Sequence, residues 1–275
     1  VSFSPNWSGL DLSILGPACA AGLIVLSTHV PLGKQVLSRG IIFIDLAIAQ
    51  IAGLGVILAQ FLGIDEASWG VQIAAALAAL AGAGLLAWTD RRWPEYQEPL
   101  IGTLFVLAAT GGLLLLANNP QGGEHLKDLL VGQILWVSYA QLIPATLLSI
   151  VLLAFMRWRH GQLEGLMFYG LFALAITASV QLVGVYLVFA SLIVPALATA
   201  GMQGRARLVA AYAIGALGYA SGLLLSAVLD LPSGALIVWT LAGCALLAQF
   251  IPAVRRSHPA HHAGDAVVSM RATET

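Results

Sequence analysis

An acid inside an apolar stretch is the first residue in this sequence equipped to do chemistry. Asp45 lies in R-G-I-I-F-I-D-L-A-I-A-Q-I-A-G-L-G-V-I-L-A-Q-F-L, the run from Arg39 to Leu62. Such a run can cross a bilayer as one helix, for which about 20 residues suffice. A central Asp costs about 2.5–3.5 kcal/mol on insertion scales, while each Leu, Ile, Val or Phe offsets about 0.3–0.6 kcal/mol, so the helix still inserts. An intramembrane carboxylate reads by default as facing protein interior or a watery path. Ala49, Ala52 and Gly53 follow it at i+4, i+7 and i+8, a small-residue strip that lets another helix approach closely. Gln50 is the other polar residue of the candidate pair, and an amide oxygen beside a carboxylate suits a hard or borderline divalent ion. Five residues of regular helix leave the two side chains about 140° apart, so they share a site only across a local bulge. The structural alternative for Asp45 is to pair with an Arg at the cytoplasmic end or to cap backbone.

Other polar residues carry less. Gln133, Tyr139, Gln141 and Gln181 sit in or near apolar runs, where tying helices together is favoured over lining a pore. Glu124 with His125 falls in a polar outer connection, and His258, His261 and His262 cluster near the C-terminus, a pattern that in flexible tails usually binds nothing specific. Cys19 and Cys244 occupy apolar runs and read as small buried hydrophobes. No P-loop is present, since P-L-G-K-Q lacks the glycine spacing and the Ser/Thr for magnesium. H-E-x-x-H, C-x-x-C and G-x-S-x-G are absent as well, which leaves zinc-hydrolase and serine-hydrolase chemistry without residues. The chain reads as a non-enzyme with no cofactor of its own.

The elements that must position Asp45 are membrane helices. The 275 residues are 59% hydrophobic and 9% charged, with net charge −1 and mean hydropathy +0.91. Soluble domains carry about 25% charged residues, so this chain cannot face water all round. It is an all-α polytopic membrane protein with lipid as its surroundings, and the near-zero charge gives no footprint for nucleic acid. Apolar runs predict spans at Leu12–Val30, Gly40–Leu62, Val71–Trp88, Leu100–Ala117, Ile134–Met156, Leu166–Val183, Leu208–Leu229 and Gly234–Ile251. On this reading Asp45 is the one acid or base well inside a span, and Leu12–Val30 is a retained first span without a signal peptide's basic segment. Residues 1–256 form the transmembrane domain and 257–275 a flexible cytoplasmic tail.

All twelve Lys and Arg except Lys127 fall in alternate connections. By the bias of basic residues toward the cytoplasm, that side is inside, the N-terminus outside and the C-terminus inside. Both Arg157/Arg159 and Arg205/Arg207 must then be inside, so Leu166–Ala200 has to leave and return. As helix those residues reach about 52 Å, short of two crossings of a core about 30 Å thick. The expectation is one full helix to Val183, a break at Gly184, and a short return ending at Pro195. Irregular backbone at such depth is tolerated only inside protein or against a water-filled cavity, which places the break near the path. Gly218 and Gly222, a G-x-x-x-G pair, read as ordinary helix packing over a dimer seam.

At Arg39–Gly55 and at Gly184–Ala200 (G-V-Y-L-V-F-A-S-L-I-V-P-A-L-A-T-A) the chain resembles the permease subunits of ABC importers for zinc, manganese or iron. L-L-V-G-Q-I-L before the fifth span and D-L-P-S-G-A between the last two are weaker matches in the same order. The resemblance implies a divalent metal as substrate, a homodimeric or paired permease, and a bacterial inner-membrane location. It also implies an ATP-binding cassette subunit that uses the ATP and an extracytoplasmic solute-binding protein. Pro195 to Arg207, with Pro195, Ala196, Thr199, Arg205 and Arg207, would be the segment that docks on the ATPase. The family pattern has Asp and His four residues apart on the second span and Gly five beyond the His. Here Gln50 holds the His position relative to Gly55, Leu46 the Asp position, and Asp45 is displaced by one. An amide suits zinc less well than imidazole does, so a harder ion gains weight. The competing functions are an ion- or proton-coupled secondary transporter built on Asp45, and a membrane scaffold using the basic loops. Paired interrupted helices, the mark of many secondary transporters, are not apparent.

Overall fold

A computed structural model describes residues 11–65, 68–117, 123, 127, 130–159 and 163–251. Nine helices stand out among them: α1 Leu12–Arg39, α2 Ile44–Phe61, α3 Trp69–Arg92, α4 Gln97–Leu116, α5 Tyr139–Trp158, α6 Gly165–Val183, α7 Val185–Ala198, α8 Gly204–Leu229 and α9 Ser233–Ala248. The all-α architecture follows from composition: apolar runs in lipid must satisfy every backbone group within the segment, which helices do. Seven helices are long and apolar enough to span, and α7 and α9 are shorter. The last span is therefore not the full crossing expected over Gly234–Ile251. Pro232 begins α9, and at its end Gln249 turns aside to donate its amide to the Ala198 carbonyl at 3.0 Å. The first span exceeds expectation, running on to Arg39 through Pro17 and Pro31 before Gly40, at φ 71°, closes it.

The helices alternate in direction. Arg39, Arg91, Arg92 and Arg157 lie in the last turns of α1, α3 and α5, where cations complement the helix C-terminus, and Arg205 and Arg207 lie in the first turn of α8. One end of the bundle is thus basic. Exposed Trp88, Trp93, Tyr96 and Trp158 ring that end, and exposed Trp69, Trp136 and Tyr139 ring the other, as aromatic side chains do at the two faces of a bilayer.

The break falls where length arithmetic put it. Gly184 ends α6 and starts α7 at φ 81°, ψ 164°, a conformation that needs glycine. The return helix runs past Pro195 to Ala198, with Pro195 inside it, so the expected stop is three residues early. At 14 residues α7 is about 21 Å long, less than one hydrocarbon thickness.

The core runs through α1, α2, α3, α6 and α7, and α8 and α9 clamp onto α1 and α7. Tyr219 of α8 lies over Gly22 of α1, where a Cβ would come within 2.4 Å of the ring. Gly33 of α1 passes so close to α7 that a Cβ would meet the Leu192 carbonyl oxygen at 2.1 Å. Ser191 Oγ donates to the Leu187 carbonyl at 2.6 Å, which uses its one proton, so the Tyr219 hydroxyl at 2.8 Å is the donor to Ser191. Gly218 and Gly222 pack against Leu241 and Ile237 of α9, and Thr240 donates to the Gly218 carbonyl at 2.7 Å. The G-x-x-x-G pair is intrachain packing, as read. Both cysteines are free thiols and only half-buried, less enclosed than their apolar neighbours suggest.

Candidate functional site

Asp45 occupies the first turn of α2 and is 1% exposed. Neither carboxyl oxygen has a hydrogen-bond partner. Both structural alternatives for this residue fail. Arg39, the nearest candidate in sequence, donates to the Leu163 carbonyl and stacks its guanidinium 4.1 Å from the Phe168 ring centroid instead. The backbone N–H groups of Asp45 and Leu46 lie near the carboxylate, yet without bonding geometry, so it caps nothing. A buried carboxylate without partners is expensive and calls for a ligand or a proton.

Gln50 does not join Asp45. The α2 helix is regular from Ile44 to Phe61, with no bulge to close the angle between them. Half-buried, Gln50 lines a narrow crevice with Gly53, Gly112, Val180 and Val185. Val180 accepts the Gly184 N–H at 2.8 Å and Val185 follows the break, so Gln50 lies against the interrupted pair α6–α7. Phe43 at the start of α2 stacks on Phe189 of α7, centroids 6.1 Å apart and planes 6° apart. The stretches Arg39–Gly55 and Gly184–Ala200 therefore meet in space.

The two weaker sequence matches converge on the same break. A Cβ on Gly132, at φ 72°, would lie 2.2 Å from the Val183 carbonyl oxygen, and one on Gly234 would lie 2.5 Å from the Val131 carbonyl oxygen. The segment through Gly132 is thus wedged between the α6–α7 junction and the start of α9. Close backbone contact explains the glycines in V-G-Q and P-S-G.

At the basic end, Pro195, Ala196 and Thr199 are buried, and Thr199 Oγ1 donates to the Pro195 carbonyl at 2.8 Å. Arg205 is exposed, and half-buried Arg207 borders a small recess with Val30, Lys34, Ala196 and Thr199. The face offered outward here comes from Leu197, Gln203, Arg205 and Val209, while the buried three hold the turn in place.

Gln141 caps α5, accepting the Ser138 N–H at 2.8 Å, which settles it as structural. Gln133, Tyr139 and Gln181 are exposed. Glu124, His125, His258, His261 and His262 lie outside the described residues.

Two ionisable groups escaped the sequence reading. His29 is fully buried in α1, which corrects the view of Asp45 as the lone acid or base inside a span. Its Nδ1 is 2.9 Å from the Val25 carbonyl, which fixes the proton there and leaves Nε2 bare and without a partner. Its position next to the expected span end, Val30, was the signal available. Glu98, in the first turn of α4, accepts the Phe43 N–H on Oε1 at 3.3 Å, while Oε2 is buried without a partner. Beside it, Gln97 donates to the Leu86 carbonyl at 3.0 Å and to the Tyr169 hydroxyl at 3.1 Å, and accepts from Thr89 at 3.0 Å, pinning α3, α4 and α6 together. Among the described residues no three His, Cys, Asp or Glu gather in a metal-binding group.

Comparison with known proteins gives the chain a context. A family model described as the ABC 3 transport family matches residues 11–168 and 161–252. Among solved structures, PsaBC from Streptococcus pneumoniae in complex with Fab is similar with a TM-score of 0.72 at 21% identity, over 88% of this chain and 93% of that one. A transporter described as of metal-chelate ABC type, in an inward-facing conformation, is similar with a TM-score of 0.56 at 18% identity, over 86% of this chain and 82% of that one. At these identities the likeness is one of fold. No curated protein matches the chain.

Proposed function

The chain belongs to the ABC 3 transport family, and on that premise we propose that it is the membrane-spanning permease subunit of an ATP-driven importer of a divalent metal ion. The observation that carries the reading is the meeting of the α2 polar residues with the broken pair α6–α7, inside a family match that runs through most of the chain. The metal-chelate description of one of the two similar structures supports the substrate class. Asp45 and Gln50 are the pathway residues of this reading. Their donors are oxygens, a carboxylate and an amide, which favour a hard ion such as manganese over zinc.

The chain carries no P-loop, so the ATP is hydrolysed by a separate nucleotide-binding subunit. That subunit docks at the turn between α7 and α8, against Leu197 and Arg205, on the cytoplasmic side of a bacterial inner membrane. An extracytoplasmic solute-binding protein delivers the ion to the opposite end. Two copies pair across the path, each contributing its α2. The C-terminal tail, 257–275, follows α9 on the cytoplasmic side of the single permease domain. Movement of α7 is the means by which nucleotide binding reaches the path, because α7 joins the docking turn at one end and the break at the other.

Reconstitution tests the reading. Proteoliposomes holding the chain with its ATPase partner accumulate Mn2+ only with ATP. Accumulation by the chain alone, driven by a proton gradient, would contradict it and install a secondary transporter.

A further inference from the structure

The recess bordered by Arg207 lies where α1, α7 and α8 meet at the basic end of the bundle. Its walls are Val30 and Lys34 of α1, Ala196 and Thr199 of α7, and Arg207 and Ala211 of α8. Two cations thus border one hollow, Lys34 exposed and Arg207 half-buried. Among the described residues neither has an ion pair or a side-chain hydrogen bond. The surrounding helices offer them no counter-charge: α1, α7 and α8 contain no Asp or Glu along their whole length, and neither does α9, which packs on α7 and α8. Carbonyls at the end of α7 are already engaged. Pro195 accepts from the Thr199 hydroxyl, Leu197 from the Ala200 N–H at 3.1 Å, Ala198 from Gln249 at 3.0 Å and Thr199 from the Met202 N–H at 3.0 Å. Like charges held together, one of them partly out of water, are costly until an anion joins them. A phosphate group suits the pair, since the guanidinium fork takes two oxygens and the ammonium serves as a point charge.

The surface beside the recess favours a lipid as the source of that phosphate. Leu23, Ser27 and Lys34 share one face of α1, at i, i+4 and i+11. Tyr212 of α8, exposed and five residues beyond Arg207, donates its hydroxyl to the Ser27 carbonyl at 2.9 Å, and Leu23 is exposed as well. An apolar strip therefore leads from the two cations toward the middle of the bundle, where an acyl chain lies if the phosphate sits on the cations. Basic pockets between membrane helices hold anionic headgroups in this way.

We propose that Lys34 and Arg207 form a binding site for the phosphate group of an anionic phospholipid, with its acyl chain along Leu23 and Tyr212. The inference goes beyond the importer reading, because it needs a bilayer and no transport. It also divides the arginines of the α7–α8 turn: exposed Arg205 belongs to the ATPase face and Arg207 to the lipid. With Ala196 and Thr199 as its floor, the bound headgroup ties the end of α7 to α1.

The test is thermal unfolding of the full chain in neutral detergent, alone and with its ATPase partner, titrated with dioctanoyl phosphatidylglycerol, dioctanoyl phosphatidylcholine or inorganic phosphate. Phosphatidylglycerol is expected to raise the midpoint at a half-maximal concentration about tenfold or more below that of phosphatidylcholine. Lys34→Gln and Arg207→Gln each raise that concentration about tenfold or more, as loss of a charge-assisted hydrogen bond does. Arg157→Gln, which removes an exposed cation of the last turn of α5 outside the recess, leaves it within about twofold. Equal responses to the two lipids, or a response unchanged in both recess variants, overturn the proposal. A response to inorganic phosphate as strong as that to phosphatidylglycerol overturns the lipid source and leaves a site for free phosphate. A response of the chain alone that vanishes with the ATPase bound overturns it in favour of a carboxylate from that subunit. Should Arg207→Gln not fold, Lys34→Gln, at an exposed position, decides by itself. If no ATPase partner binds, the importer reading fails, while the titration of the chain alone still decides the site.

Discussion

Gly184→Ala is the substitution that most sharply tests the wedge at the broken helix. The residue sits at φ 81°, ψ 164°, a region nearly closed to L side chains and worth about 1–3 kcal/mol of strain for any of them. The new methyl would lie 2.4 Å from the Gly132 nitrogen and 2.6 Å from its Cα, contacts with backbone that no rotamer relieves. Overpacking of that kind adds about 1–3 kcal/mol. The middle of the combined range, about 4 kcal/mol, is roughly a thousandfold in the folding equilibrium. At about 2–4 °C per kcal/mol, the slope for chains of comparable length, the midpoint falls by about 10 °C. Gly170→Ala is the internal control: it lies in the same helix with nothing within 4 Å of its Cβ, and a helix-interior Gly→Ala change gains about 0.5–1 kcal/mol. Thermal unfolding of both variants in detergent, followed by size-exclusion monodispersity, gives the answer. Equal melting of Gly184→Ala and Gly170→Ala would refute the wedge.

Four further outcomes follow from the same geometry. Tyr219→Phe removes one buried hydrogen bond, to Ser191, and lowers stability by about 0.5–1.5 kcal/mol, whereas Gly22→Ala forces the Tyr219 ring aside and costs about 1–3 kcal/mol in the same melt. Gln50→His places an imidazole against the α6–α7 break and shifts competition uptake toward Zn2+ relative to Mn2+ by about tenfold, checked with mixed isotopes. Arg205→Glu, exposed at the α7–α8 turn, lowers ATP hydrolysis by the assembled complex several-fold, while Mn2+ binding to the permease stays within twofold of wild type.

Helix identity and the break at Gly184 were legible because they depend on local chemistry and on length: apolar runs, alternate basic connections, and a stretch too short for two crossings. The stop at Pro195 was not, because Pro17, Pro31 and Pro144 show that these helices accommodate proline within their length. Asp45 was legible as an anomaly, and the failure of its bland alternatives needed the structure, since only coordinates show where Arg39 goes. Glu98 was hidden by its place in a connection rich in polar residues, where an acid carries no cost and draws no notice. His29 was hidden because α1 extends a further nine residues beyond the expected end at Val30, turning a terminal residue into an interior one. The convergence of V-G-Q, Gly184 and P-S-G depends on tertiary contact between residues far apart in sequence, which periodicity does not encode.

The most direct measurement of the central claim is cellular metal content, by elemental analysis of zinc, manganese, iron and cobalt in a strain lacking the gene, complemented with wild type or Asp45→Ala. The account predicts that one divalent metal, manganese foremost, falls on deletion, is restored by wild type, and is not restored by Asp45→Ala at equal protein level. Metal contents that stay unchanged across all strains under limitation of each metal would contradict it.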